Sequence, residues 1–406
     1  MNKIVISQKC AQKFLEDGLL IPLDLLLIFC ITFSGDTKVF GVPIFGIFWL
    51  IIVTLRRNFK FQKTEVLVQI FLIVFFLPIL IQFYKYNFEY YFAAFSTILY
   101  VNALVFANYT LNRLLSDSPG AKVVQWLPFV LIVILGVLTQ RFSGDSSRQS
   151  FLFGPNVYYR IIGAIFLLHI ILFKQEYESV KAKFKLWSSM NSLLMTFISL
   201  FISLFILLKT GSRGATIVGQ FLLLYFSMSI LSIKQKWLKI VSIFVIVFVL
   251  ALVIYTLFST LSSDYRGFWF YDRGASSGSI KDRQGFLDNL PSFLMKDNFL
   301  FGEGSNYIYS YPHNLYLDIL YNSGIFPCLI LLSFTFIYVI LLLKGKVTGN
   351  WKLLTIILLP IYIGSLVSGT LYDNYPIITM IIMVPIWVQK QERSTSKRKS
   401  ISLEVS

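Results

Sequence analysis

Residues 190–232 read MNSLLMTFISLFISLFILLKTGSRGATIVGQFLLLYFSMSILS. Two apolar runs, 190–208 and 215–232, are separated by one short turn that contains an arginine. Each run comes close to the ~20 apolar residues that carry a helix across a hydrocarbon core. A helix also satisfies its backbone N–H and C=O groups internally, which lipid demands. The pair therefore predicts a helical membrane hairpin.

The same pattern recurs along the chain in both directions. Spans are expected near 19–34, 39–55, 65–84, 90–111, 123–139, 159–173, 190–208, 215–232, 238–258, 315–343, 353–371 and 375–388. The first carries Pro22 and Asp24. The run 315–343 is too long to stay in hydrocarbon and predicts a surface helix, a break at Gly324, then the span. The chain has 406 residues, of which 56% are hydrophobic and 14% charged. Its mean hydropathy is +0.71. A soluble domain of that size needs more polar surface. The expected fold is all-α: one polytopic transmembrane domain over 1–406 with about twelve spans. A large loop over 259–312 joins the ninth and tenth spans, and 389–406 form a basic, solvated tail.

A formal net charge of +16 would suggest nucleic acid in a soluble protein. Here Lys and Arg gather in alternate loops, for example at Arg56 and Arg57, Lys181 to Lys185, Lys234 to Lys239 and Lys344 to Lys352. The positive-inside rule then puts both termini on the cytoplasmic side. No nucleic acid is expected. The first 17 residues are polar, and the apolar run from Leu19 has no small-residue cleavage site, so no cleaved leader is expected. Cys10, Cys30 and Cys328 show neither a disulfide framework nor metal-ligand spacing. The histidines are His169 and His313. His169 lies in an apolar span and reads as a hydrogen-bonded core histidine. No metal and no cofactor are expected.

Three positions on the expected outer face can carry chemistry. Arg213 lies in the turn TGSRG (210–214), against the positive-inside trend and near membrane depth, where charge is expensive. Glycines on both sides allow a tight turn, and the next helix starts at once. A guanidinium beside a helix N-terminus suits phosphate; the alternative is an interfacial anchor that snorkels to headgroups. Arg283 begins a segment, 281–296, whose Phe286, Leu287, Leu290, Phe293 and Leu294 have helical spacing. That suits an amphipathic helix on the membrane surface or on the bundle, kinked at Pro291. His313 is placed by Pro312 and followed by Asn314, a capping residue for the next helix. Imidazole is the side chain best suited to accept a proton near neutral pH. Supporting roles fall to Asn314, Tyr311, Asp318 and Asp373. Asp318 is five positions beyond His313 and off its helical face. No DxD-type metal motif occurs on that face, so basic groups would neutralise a leaving diphosphate directly.

At these residues the sequence resembles the O-antigen ligase/polymerase family. Three segments carry the resemblance in the family's order: TGSRG (210–214), KDRQGFLDNLPSFLMKDNFLFGEGSN (281–306) and PHNLYLDILYNSGI (312–325). It covers roughly residues 190–345. The resemblance implies an all-helical glycosyltransferase of the GT-C type in the bacterial inner membrane, working on the periplasmic face. It implies undecaprenyl-diphosphate-linked glycans as substrates, membrane lipid as surroundings and a chain-length regulator as partner. By motif, Arg213 and Arg283 would bind the donor diphosphate and His313 would activate the acceptor hydroxyl. Within the family, ligases often carry a second histidine just before the proline. Tyr311 stands there, which favours a polymerase, with ligase as the alternative. A transporter or flippase would be expected to show related halves and charges at mid-membrane. A membrane scaffold would not need Arg213 and His313 on one face.

Overall fold

The computed structural model describes residues 110–116, 118–141, 155–179, 186–210, 213–231, 288–293, 297–300, 314–367 and 377–390, with single positions or short runs between them. For some residues at helix ends, Arg213 among them, it describes the backbone only. Every regular element among these residues is helical. The helices are α1 (Pro119–Val124), α2 (Leu127–Arg141), α3 (Pro155–Ser179), α4 (Leu186–Lys209), α5 (Arg213–Leu231), α6 (Leu315–Ser323), α7 (Ile325–Leu343) and α8 (Gly349–Val367), followed by α9 (Ile377–Lys390). They coincide with the fifth to eighth and the tenth to twelfth expected spans. Most of the first four spans and of the ninth lies outside the described residues. Among the described residues, four helical segments are long and apolar enough to cross a membrane: Pro119–Gln140, Gly214–Leu231, Ile325–Leu343 and Gly349–Leu366.

The chain divides into two compact units, each discontinuous in sequence. The first comprises Met1–Leu23, Asn112–Lys281 and Ile356–Ser368. The Ser118 hydroxyl starts α1 by accepting the Ala121 N–H at 3.2 Å. Pro119 occupies the first helical position, where a missing N–H costs nothing. Helix α3 packs against α2, α4 and α5, α2 against α4, and α4 against α5. Tyr158 and Thr139 join the start of α3 to the end of α2 through their hydroxyls, 2.8 Å apart. His169 is buried at mid-α3, as expected for a core histidine. Its Nε2 lies 3.4 Å from the Thr196 hydroxyl of α4, and its ring stands 6.0 Å from that of Phe129.

Between helices in lipid there is no hydrophobic driving force, because the tails are as apolar as leucine. Close van der Waals approach must supply the attraction, and glycine permits it. A Cβ at Gly163 of α3 would stand 2.7 Å from the Pro360 Cβ of α8 and 3.1 Å from Val218 of α5. Three helices thus converge on one missing side chain.

The second unit comprises Asp24–Leu111, Asp282–Thr355 and Gly369–Ser406. The run 315–343 breaks at Gly324, as its length required. Gly324 ends α6 and precedes α7 with φ 86° and ψ −177°, a conformation open to glycine and strained for other residues. Residues 288–293 are helical and a 3-10 turn follows at Asp297–Leu300. Phe293, 1% exposed, packs its ring 5.2 Å from Tyr321 of α6 and 6.3 Å from Phe299. Leu290, Leu317 and Leu320 complete this cluster. The described part of the amphipathic segment thus packs Phe293 and Leu290 against α6. Tyr338 of α7 donates to the Thr355 hydroxyl of α8 at 2.6 Å. Asn350 donates to the carbonyl of Asn108 at 3.0 Å.

Gly163→Ala forces a methyl into the α3–α5–α8 contact and is expected to cost about 1–3 kcal/mol. Gly219→Ala meets only Leu204 and Leu207 at 3.6 Å and is expected to leave stability unchanged or raise it by up to about 1 kcal/mol through helix propensity. Thermal melts of the detergent-purified protein check this. Equal midpoints for the two variants would refute the close-packing account.

Candidate functional site

Helix α6 carries the segment that follows His313. Asn314 has an extended backbone, φ −143° and ψ 130°. Its side-chain oxygen accepts the N–H groups of Tyr316 and Leu317 at 3.0 and 3.2 Å. Its carbonyl accepts the Asp318 N–H at 2.8 Å. The expected cap is therefore present, and it fixes where the chain leaves position 313 to become helix. Asp318 sits in the first turn, where a carboxylate favours the helix dipole. It is fully buried, and its carboxylate accepts from Asn322 Nδ2 at 3.0 Å, one turn on. Burying a carboxylate is costly without such partners. Tyr316 ties α6 to α7 through the Thr335 hydroxyl, 2.9 Å away.

The far end of α6 is gripped by the loop segment. Gly302, the first glycine of the Gly-x-Gly turn, has φ 78°. A Cβ there would lie 2.5 Å from the backbone of Asn322 and Ser323. Glycine is thus required twice, by the left-handed φ and by the backbone-to-backbone approach. Together with the Phe293–Tyr321 contact, this packs parts of the 281–306 and 312–325 segments onto each other.

In the first unit, Arg213 is the first residue of α5, so the turn before it ends in a helix N-terminus as expected. Its side chain lies outside the described residues. At Gly214, a Cβ would collide with the Tyr159 hydroxyl, and it would stand 2.5 Å from the ring carbon that bears it. At Gly364 of α8, a Cβ would meet the same hydroxyl at 2.6 Å and Arg160 Nε at 3.0 Å. Tyr159 is fully buried and Arg160 is 3% exposed. The Arg160 guanidinium carbon lies 5.9 Å from the Tyr159 ring centre. So the starts of α3 and α5 and the end of α8 meet around one tyrosine. The expected alternation of spans sends those three ends to one face.

Of the candidate residues, Asn314 and Asp318 lie together on α6 in the second unit, and Arg213 belongs to the first. Arg283, Tyr311, His313 and Asp373 lie outside the described residues. Tyr159 and Arg160 were not among the sequence candidates. The signal available was an arginine inside the mouth of the sixth span, next to a tyrosine, and it reads equally as an interfacial anchor.

Long apolar helices, packed through glycine and holding polar groups inward, define an all-helical membrane protein. Comparison with protein-family profiles, curated proteins and solved structures finds no match to the chain.

Asn314→Ala removes the cap and is expected to lower stability by about 1 kcal/mol, whereas Asn314→Ser retains most of it. Melting of the two purified variants checks this. Identical losses in both would show that capping is not what Asn314 contributes.

Proposed function

We propose that this chain is a surface-polysaccharide polymerase of the O-antigen type. It is a GT-C-type glycosyltransferase with about twelve spans, set in the bacterial inner membrane with both termini cytoplasmic and its site periplasmic. It joins undecaprenyl-diphosphate-linked repeat units. Arg213 and Arg283 hold the donor diphosphate. His313 takes the proton from the acceptor hydroxyl as that oxygen attacks the anomeric carbon from the opposite face. The new glycosidic bond forms, the bond to the lipid diphosphate breaks, and configuration inverts. The two guanidinium groups neutralise the leaving diphosphate, so the step needs no metal.

The observation that carries this reading is the order of the three segments, TGSRG, 281–306 and 312–325, along the chain. Two local features support it. Asn314, the residue after His313, caps α6, so the helix that follows the proposed base starts at a defined point. The Gly302 turn and Phe293 anchor the segment headed by Arg283 to that same helix. Tyr311, in the place where ligases often carry a second histidine, favours polymerase over ligase.

Deletion of the gene in its host, followed by gel analysis of the lipopolysaccharide, tests the class. A polymerase leaves lipid A-core carrying one repeat unit. A ligase leaves bare lipid A-core with long chains on the carrier lipid. A transporter leaves repeat units unflipped. In the complemented strain, His313→Ala is expected to abolish chain ladders at unchanged protein level, and normal ladders there would refute the base assignment. Arg213→Lys is expected to lose most activity, because lysine cannot make the bidentate contact.

A further inference from the structure

The hydroxyl of Tyr159 is buried and has no hydrogen-bond partner among the described residues. Buried polar groups are nearly always paired, and a phenylalanine would fill the same space without the penalty of an unpaired hydroxyl. The oxygen also has a definite address. It abuts Gly214, the second residue of the 19-residue helix α5. The first N–H groups of an α-helix have no partner within it and form the positive end of its dipole. Arg160, almost wholly buried, is the next residue along α3. Phenol and helix N-terminus can each donate, and an anionic oxygen is a partner they can share. The glycines at 214 and 364 keep side-chain atoms from coming between the phenol and the end of the helix.

We propose that Tyr159 Oη donates a hydrogen bond to a phosphoryl oxygen bound at the first turn of α5, and that this phosphoryl group belongs to the donor diphosphate. The inference rests on the reading of Arg213 as a diphosphate-binding residue. It adds Tyr159 as a binding residue that touches the leaving group. A phospholipid headgroup offers the same chemistry, so the experiment must separate the two sources.

The test uses full-length protein in maltoside micelles, with farnesyl diphosphate and phosphatidylglycerol as separate probes, binding followed by thermophoresis. Tyr159→Phe keeps the ring between the two glycines and removes only the oxygen. It is expected to weaken farnesyl diphosphate binding about tenfold or more, with the ligand-free melting temperature unchanged or raised. If Tyr159→Phe binds as wild type while Arg213→Ala loses binding, the Tyr159 contact is overturned and the diphosphate reading stands. A lower ligand-free melting temperature for Tyr159→Phe also overturns it, because the oxygen would then have a partner within the protein. If wild type binds phosphatidylglycerol alone, and Tyr159→Phe weakens that, the phosphoryl contact is upheld and its donor is a membrane headgroup. Wild-type protein that binds neither probe overturns both the contact and the reading beneath it.

Discussion

The constraint behind the whole structure is that helices in lipid gain nothing by hiding apolar surface from one another. What holds them is contact at short range, so the positions that matter are those where a side chain is missing. Gly163, Gly214 and Gly364 are such positions in the first unit, and each is met by an atom that a Cβ would displace. Leucines and isoleucines fill much of the rest of the core, while others of the same kind, Leu194 and Leu208 on α4 among them, face outward. Apolar character alone therefore does not separate inside from outside. The buried polar set does so more sharply: Thr196, Ser199 and Ser203 share one face of α4, and all are inaccessible.

The second unit solves a different problem, which is to hold a short helix at a fixed place beside a span. Helix α6 is too brief to be stable by itself. Asn314 closes its N-terminus, Gly324 ends it, Tyr316 ties it to α7, and the loop residues Phe293 and Gly302 pack on its other side. Its buried Asp318 and Asn322 bond to each other, so the polar face turned inward is satisfied in part by the helix itself.

Much of this was legible in the sequence, and the reasons are local. Apolar runs marked the spans, excess length together with a glycine marked the break at Gly324, and an asparagine before an apolar run marked the cap. Helical spacing in 281–296 showed an apolar face but not its partner, because lipid and protein present the same chemistry to a phenylalanine. The Tyr159 cluster was not legible for a stricter reason. Its meaning lies in the backbones of Gly214 and Gly364, which are distant in sequence, and a glycine in an apolar span carries no mark of what it admits. Arg160 looked like any cation at the mouth of a span. The side chains of Arg213, Arg283 and His313 are outside the described residues, so their grouping rests on the order of the motifs.

The interleaving of the two units bears on how the chain is made. Residues 112–281 emerge from the ribosome as one block, yet the unit they build also requires 356–368, where Gly364 closes on Tyr159. The other unit begins with residues 24–111 and includes a bond from Asn350 back to Asn108. Neither can finish until the chain has been threaded into the bilayer almost to its end. Thr110, buried in the finished protein, is made long before residues 282–355 and 369–406 of its own unit. A ribosome that stalls late would leave both units open, so the last helices act as the closing step of assembly for helices made long before them.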